Sequence, residues 1–129
     1  MRIRQLLLAV LLIGAIGVLQ GCIALAVGAG AAGTIAYVKG DLEAVEAQDI
    51  DTVYAAAKKA VDELGLRVIE DARDALSATI VAHDAQDKRI AINLKSTTEE
   101  TTKLSIRVGL FGSETKSRLI YQKIRYYLD

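Results

Sequence analysis

Four short stretches in the second half of the chain carry apolar residues at every second position, and this alternation constrains the fold more than any other feature. Leu66, Val68 and Glu70 alternate with Arg67 and Ile69, and Leu76, Ala78, Ile80 and Ala82 alternate with Ser77, Thr79, Val81 and His83. Ile90, Ile92 and Leu94 alternate with Arg89, Ala91, Asn93 and Lys95, and Leu104, Ile106 and Val108 with Lys103, Ser105 and Arg107. Successive side chains of a strand point to opposite faces, so such stretches bury one face and wet the other. That is the pattern of an antiparallel sheet covered on one side only. The first stretch is the least regular, because Ile69 and Glu70 break its alternation. Asp71–Asp74, Asp84–Asp87 and Ser96–Glu100 are short and polar, as hairpin loops are.

The cover comes from two segments of helical period. Ile50, Val53, Tyr54, Ala57, Ala60, Val61 and Leu64 form one apolar stripe over four turns. Asp49 is placed to cap this helix, Asp51 sits where the dipole favours an anion, and Gly65 marks its end. Gly112-Ser113 caps a last helix with the stripe Leu119, Ile120, Ile124, Tyr127 and Leu128. Ile35 to Glu46 reads as one extended segment of high β-propensity that turns acidic through Asp41, Glu43 and Glu46. The expected fold is therefore α+β, an antiparallel sheet of four to five strands with two helices packed on one face. Its order is strand, helix, four strands, helix.

The N-terminus has another character. Arg2 and Arg4 precede a nearly unbroken apolar run from Leu6 to Leu19, and Leu19-Gln20-Gly21-Cys22 closes it with the only cysteine of the chain. A basic region, an apolar run and small residues at the cut site make a secretory signal. A cysteine directly after the cut resembles the lipobox of bacterial lipoproteins, which implies acylation of the Cys22 thiol and removal of residues 1–21. A lone cysteine has no intramolecular disulfide to explain it. The competing reading is a buried thiol in an uncleaved membrane anchor, and the apolar continuation Ile23-Ala24-Leu25-Ala26-Val27 speaks for that reading. Two or three acyl chains, at about 0.8 kcal/mol per buried methylene, hold a protein far more firmly than one myristoyl group.

The expected organisation is a signal peptide over 1–21, a lipidated Gly/Ala-rich tether over 22–36 and a small α+β domain over 37–129. Residues 23–36 carry no charge and are too short, against the roughly 20 residues a spanning helix needs, to cross a bilayer. Self-association through their small residues is one expectation. Gly28-Ala29-Gly30-Ala31-Ala32-Gly33 fits the letters of the dinucleotide fingerprint, but no strand precedes it in the mature chain and no βαβ unit follows. Without residues 1–21 the chain keeps 14 Lys+Arg against 16 Asp+Glu, so its charge gives no hint of nucleic-acid binding.

The chain resembles a family of small bacterial lipoproteins classed only as a domain of unknown function. Its landmarks are Gly21-Cys22, the Gly/Ala run, Tyr37-Val38-Lys39-Gly40, Leu64-Gly65-Leu66, and Ser105-Ile106-Arg107-Val108-Gly109-Leu110-Phe111-Gly112. The resemblance implies an envelope lipoprotein with a small α+β domain, and it implies no activity. Its layout is also similar to helix-grip-like domains of accessory lipoproteins in outer-membrane assembly machines, an analogy of fold alone.

No pattern of catalytic or cofactor chemistry stands out, and neither a metal nor a cofactor is expected. His83-Asp84-Ala85-Gln86-Asp87 offers metal-ligand types, but ligands this close on a turn seldom converge, and Asp residues supply ordinary turn chemistry. Glu70-Asp71, Glu99-Glu100 and Asp62-Glu63 read as solvated carboxylates, not as a pair in a pocket that splits their pKa values. The one defensible site is the turn holding Arg107, Gly109, Phe111, Gly112 and Ser113, which leads into a helix N-terminus whose free N–H groups suit an anion or a partner. The plainer account of the same residues has glycines making the turn, Phe111 plugging the end of the core and Ser113 capping the helix. Lys116, Arg118, Lys123 and Arg125 on the last helix, with Arg89, Lys95, Lys103 and Arg107, suggest a basic region for anionic headgroups or an acidic partner.

These readings converge on a non-enzymatic, lipid-anchored interaction or accessory module. It would be held by acylated Cys22 with its domain in the periplasm, serving an unidentified envelope protein. Ile23 after the cysteine favours the outer over the inner membrane. The alternative is a binder of a small or lipidic ligand between sheet and helices, for which an apolar cavity on the order of several hundred Å³ is the signature.

Overall fold

Ile35–Glu46 folds as two strands and not one, because Lys39 and Gly40 both take positive φ (52° and 91°) and reverse the chain. That pair of left-handed residues makes the tight turn whose twist suits a β-hairpin. In the computed structural model, which describes residues 2–5 and 35–129, the hairpin joins β1 (Ile35–Val38) to β2 (Asp41–Glu46). Residues 2–5 are helical (α1). Then come α2 (Ile50–Glu63), β3 (Arg67–Arg73), β4 (Ser77–His83), β5 (Arg89–Thr98), β6 (Thr101–Val108) and α3 (Glu114–Leu128). The six strands form one sheet in the order β1-β2-β6-β5-β4-β3, every pair antiparallel. The α+β class stands, with six strands among the described residues where the sequence suggested four to five and three helices where it suggested two. β1 takes in Ile35 and Ala36, which pair with Ala44 and Glu43. Cys22, the lipobox and residues 6–34 of the signal and Gly/Ala segment lie outside the described residues. No helix among the described residues is long and apolar enough to cross a membrane.

Register explains the core. Leu42, Ile106, Ile92 and Ile80 are successive partners across β2, β6, β5 and β4, and so share one face. Each is at most 1 % exposed, as are Val53, Ala57, Ala60 and Val61 of α2 and Ile124 of α3. Asp49 caps α2 through a 2.6 Å bond from the Thr52 amide, and Ser113 caps α3 by accepting from the Lys116 amide at 3.4 Å. The α3 stripe is rotated toward Ser117 and Tyr121 relative to the one the sequence suggests, with Tyr127 still partly buried against the core. Leu119 is exposed, and Ser117, Ile120, Tyr121, Ile124 and Leu128 face inward.

Several expected loops are shorter because backbone pairing continues through polar residues. β3 runs to Arg73 across the expected loop Asp71–Asp74, and only Glu99 and Glu100 separate β5 from β6. Leu76, expected on the inner face, precedes β4 and is exposed. The irregularity at Ile69 is a β-bulge, since Val68 pairs with Ala82 and Glu70 with Val81. The extra residue reverses the parity of the rest of the strand. Asp71 and Arg73 consequently face α2. The Asp71 carboxylate accepts hydrogen bonds from the Lys58 ammonium and the Tyr54 hydroxyl, both at 2.6 Å. Arg73 pairs with Asp51 and lies 4.8 Å over the Tyr54 ring. Inward-pointing charges of this kind blunt an exposed edge strand against pairing with other chains.

Parity also buries Glu46, the third inward residue of β2 after Leu42 and Ala44. Its carboxylate accepts from the Tyr121 hydroxyl and from Arg125 Nη1, each at 2.5 Å. Burial, reinforced by the bond to Glu46, holds the Tyr121 phenol well above its ordinary value.

Two outcomes test this architecture. Ile92→Asp and Ile106→Asp, each placing a charge at a site with 0 % exposure, should each cost more than about 4 kcal/mol in denaturant unfolding. The Lys58 ammonium and then the Tyr54 hydroxyl hold Asp71 below its ordinary 3.8. Its contribution is therefore complete above that value and is lost as the pH falls through and below it. Asp71→Asn should lower the melting temperature at pH 7 and flatten the loss of stability below about pH 4.

Candidate functional site

The Tyr37–Gly40 and Arg107–Gly112 motifs, far apart in sequence, meet as two interlocked turns at one end of the sheet. Gly112 takes φ +83°, and a methyl group on it would collide with the carbonyl oxygen and Cα of Gly40 and with the Tyr37 hydroxyl. A Cβ on Gly40 would in turn lie 2.7 Å from the Phe111 carbonyl oxygen. The two backbones touch because neither carries a side chain there. Gly109 opens the second turn by donating its N–H to the Arg89 carbonyl at 2.7 Å.

Arg107 ties the two turns together. Its Nε and Nη2 donate to the Leu110 carbonyl at 3.2 and 2.7 Å, and Nη1 donates to the Lys39 carbonyl and the Asp41 carboxylate, both at 3.1 Å. The planar guanidinium has the fixed fork of donors that this arrangement requires. The clamp leaves apolar side chains in water. Phe111 is 86 % exposed, Leu110 79 % and Val38 46 %. Phe111 therefore does not plug the core, because the backbone contact at Gly112 turns its side chain outward before α3 begins. Ser113 does cap α3. Of the five residues the sequence singled out, Arg107, Gly109, Gly112 and Ser113 build the support, and Phe111 is what it presents. Gly40, Tyr37 and Asp41 complete the support and were missed as partners. The adjacency of two glycine turns was the available signal, but their pairing requires the β2–β6 register.

The α3 cations are paired and do not form a free basic face. Lys116 reaches Asp84 at 3.3 Å, Arg118 reaches Glu114 at 2.8 Å, Lys123 reaches Glu63 at 3.1 Å, and Arg125 binds Glu46. The acids come largely from other elements, which the composition of the helix alone does not reveal. On the strands, Lys103 lies 3.8 Å from Glu43 and Arg107 holds Asp41.

His83 Nδ1 lies 2.8 Å from Asp87, which also meets Arg67 at 3.2 Å. Asp84 turns the other way, accepting from the Gln86 and Lys88 amides at 2.9 Å. The Lys88 amide foremost, then the Lys116 ammonium and the Gln86 amide, hold its carboxyl below the usual range. Among the described residues no group of three His, Cys, Asp or Glu side chains is placed to hold a metal. Glu63 receives the Lys123 ammonium and the Tyr127 hydroxyl, so it is engaged and not merely solvated. An open groove of about 340 Å³ lies where the end of α2 meets α3 and the β4–β5 turn, lined by Leu64, Leu66, Ile90, Leu119 and Ile120, with Lys116 beside them.

A family model described as "Protein of unknown function (DUF3568)" matches residues 5–126. No curated protein matches the chain.

The geometry separates support from presentation. Gly112→Ala, strained by its φ and obstructed by Gly40, should destabilise the domain by on the order of 3 kcal/mol. Phe111→Ala, in contrast, should leave denaturant stability within about 0.5 kcal/mol of the parent.

Proposed function

The chain belongs to this family, and on that premise we propose that it is a lipid-anchored lipoprotein of the bacterial cell envelope whose domain is a non-enzymatic interaction or accessory module. Acylated Cys22 would hold it to the membrane, the outer membrane in preference to the inner, with residues 35–129 in the periplasm. The observation that carries this reading is the clamped pair of turns. Arg107 and the Gly40–Gly112 contact fix a loop whose two central apolar residues contribute nothing to the core. Exposed apolar groups on a rigid support bind with little loss of conformational freedom, which is what a contact element requires. A role in reaction chemistry has no comparable support, because the carboxylates nearest the two turns are engaged in ion pairs.

The groove beside Leu119 favours a second reading, in which the domain takes a small or lipidic ligand at the rim of its helix pair. Its volume is at the low end of ligand sites, roughly 300–1,000 Å³. Leu119→Arg should abolish such binding without touching the turns.

Intact-mass analysis of protein extracted from membranes tests the anchor. The expected species lacks residues 1–21 and carries added acyl mass, and Cys22→Ala leaves the precursor uncut. A stable full-length, unmodified chain would overturn the reading. A photo-crosslinking residue at Leu110 should give discrete adducts that Arg107→Ala weakens, whereas the same residue at Glu99 should not.

A further inference from the structure

We propose that the tip formed by Val38, Leu110 and Phe111 contacts an anionic phospholipid bilayer, giving the domain a second, non-covalent attachment to a membrane. This deepens the reading of the turn pair as a contact element, and rests on it, by naming what the tip contacts.

The first argument is exposure. The three residues stand exposed at one end of the sheet, two consecutive apolar side chains in one turn and a third beside the other turn. A protein pocket must match such a group of side chains in detail, whereas the interface of a bilayer accepts an apolar tip of any outline.

The second argument is charge. At this end of the sheet Asp41 is engaged by Arg107, Asp84 by Lys116, Asp87 by Arg67 and His83, and Glu114 by Arg118, while the exposed Asp62 lies away from the two turns, beside Leu66 and Val68 at the β3 edge. Lys39, Lys88 and Arg89 are exposed and form no ion pair among the described residues. Lys39 sits on the first turn itself, and the Arg89 carbonyl holds Gly109 of the second. Next to the two turns themselves, the uncompensated charge is thus positive. The opposite end carries the exposed Glu99-Glu100 turn between β5 and β6, two carboxylates against the one exposed cation on that half of β5, Lys95, which forms no ion pair among the described residues. A domain polarised in this way turns its tip toward an anionic surface and its other end away from it.

The third argument is reach. The chain enters the sheet at Ile35, at the far end of the hairpin from Gly40. The thirteen residue steps from Cys22 span at most about 45 Å. β6, which runs between the two ends, is eight residues long, or about 26 Å. A chain held at Cys22 can therefore lay the tip on the same membrane. The anchor then supplies a high local concentration, so a modest tip affinity suffices.

The chain contains no tryptophan, so Phe111→Trp creates a single indole reporter at an exposed position. The full chain would be reconstituted into phosphatidylcholine vesicles with or without phosphatidylglycerol, with Glu99→Trp as reporter for the opposite end and Leu110→Trp as a second tip reporter. In the anionic vesicles the tip indoles should emit at shorter wavelength and be quenched by brominated lipids. Acrylamide should quench them several-fold less than the indole of Glu99→Trp. Adding Lys39→Glu and Arg89→Glu, or raising salt to about 0.5 M, should reverse these changes. The proposal is overturned if both tip indoles stay as open to acrylamide as that of Glu99→Trp. It is also overturned if anionic and neutral vesicles give the same result, or if the indoles become buried only when soluble envelope proteins are added, which would point to a protein partner. Acyl mass on Cys22, read on the same preparation, reports separately on the anchor.

Discussion

The burial of one sheet face beneath two helices is the constraint from which the remaining features of this domain follow. Leu42, Ile80, Ile92, Leu104, Ile106, Val53 and Ile124 are essentially removed from water, and each large side chain so buried contributes roughly 1.5–3 kcal/mol. With no disulfide available from a single cysteine, this layer is the main source of stability. It also fixes parity along every strand. Once Ile92 and Ile106 face the helices, Arg107 must stand on the opposite face, in register with Ala91, where its guanidinium reaches both turns. The contact element is therefore a consequence of core register.

The same constraint leaves difficulties at the margins, and polar chemistry resolves them. The inner face extends beyond the area that α2 and α3 cover with apolar groups. At β3 the inward positions are Asp71 and Arg73, satisfied by Tyr54, Lys58 and Asp51. At the end of β2 the inward position is Glu46, satisfied by Tyr121 and Arg125. A buried carboxylate with two strong donors avoids the large cost of an unpaired charge, and it fixes how α3 lies across the sheet. The helices are thus seated by apolar burial at the centre and oriented by directional bonds at both edges.

Most of this plan is legible in the residues themselves. The α2 stripe from Ile50 to Val61, its Asp49 cap and its end at Gly65 need only helical periodicity, and β4 to β6 need only alternation. What escapes the sequence depends on partners far along the chain. The hairpin within Ile35–Glu46 hides because Lys39 is an uncommon residue for positive φ, and the segment reads as one strand. The continuation of β3 hides because a bulge at Ile69 reverses parity, so Asp71 and Arg73 resemble a polar loop. Phe111 reads as core because aromatic residues near a helix start usually are, and only the touching backbones of Gly40 and Gly112 show why it faces outward. The pairing of the α3 cations is likewise invisible in one helix, since Asp84, Glu63 and Glu46 are supplied by other elements.

The strand order has a consequence for the time course of folding. β2 has only β1 and β6 as neighbours, so the first hairpin has nothing to add to until Thr101–Val108 is in place. A two-stranded hairpin alone is marginal in water. Pairing across this separation in sequence is the kind that slows folding, because a long loop must close before any contact rewards it. The α2–β6 portion is able to assemble through nearer neighbours, with the hairpin joining afterwards. The two turns are thus completed late, and the apolar tip takes its final form only when nearly all the rest of the domain is already native.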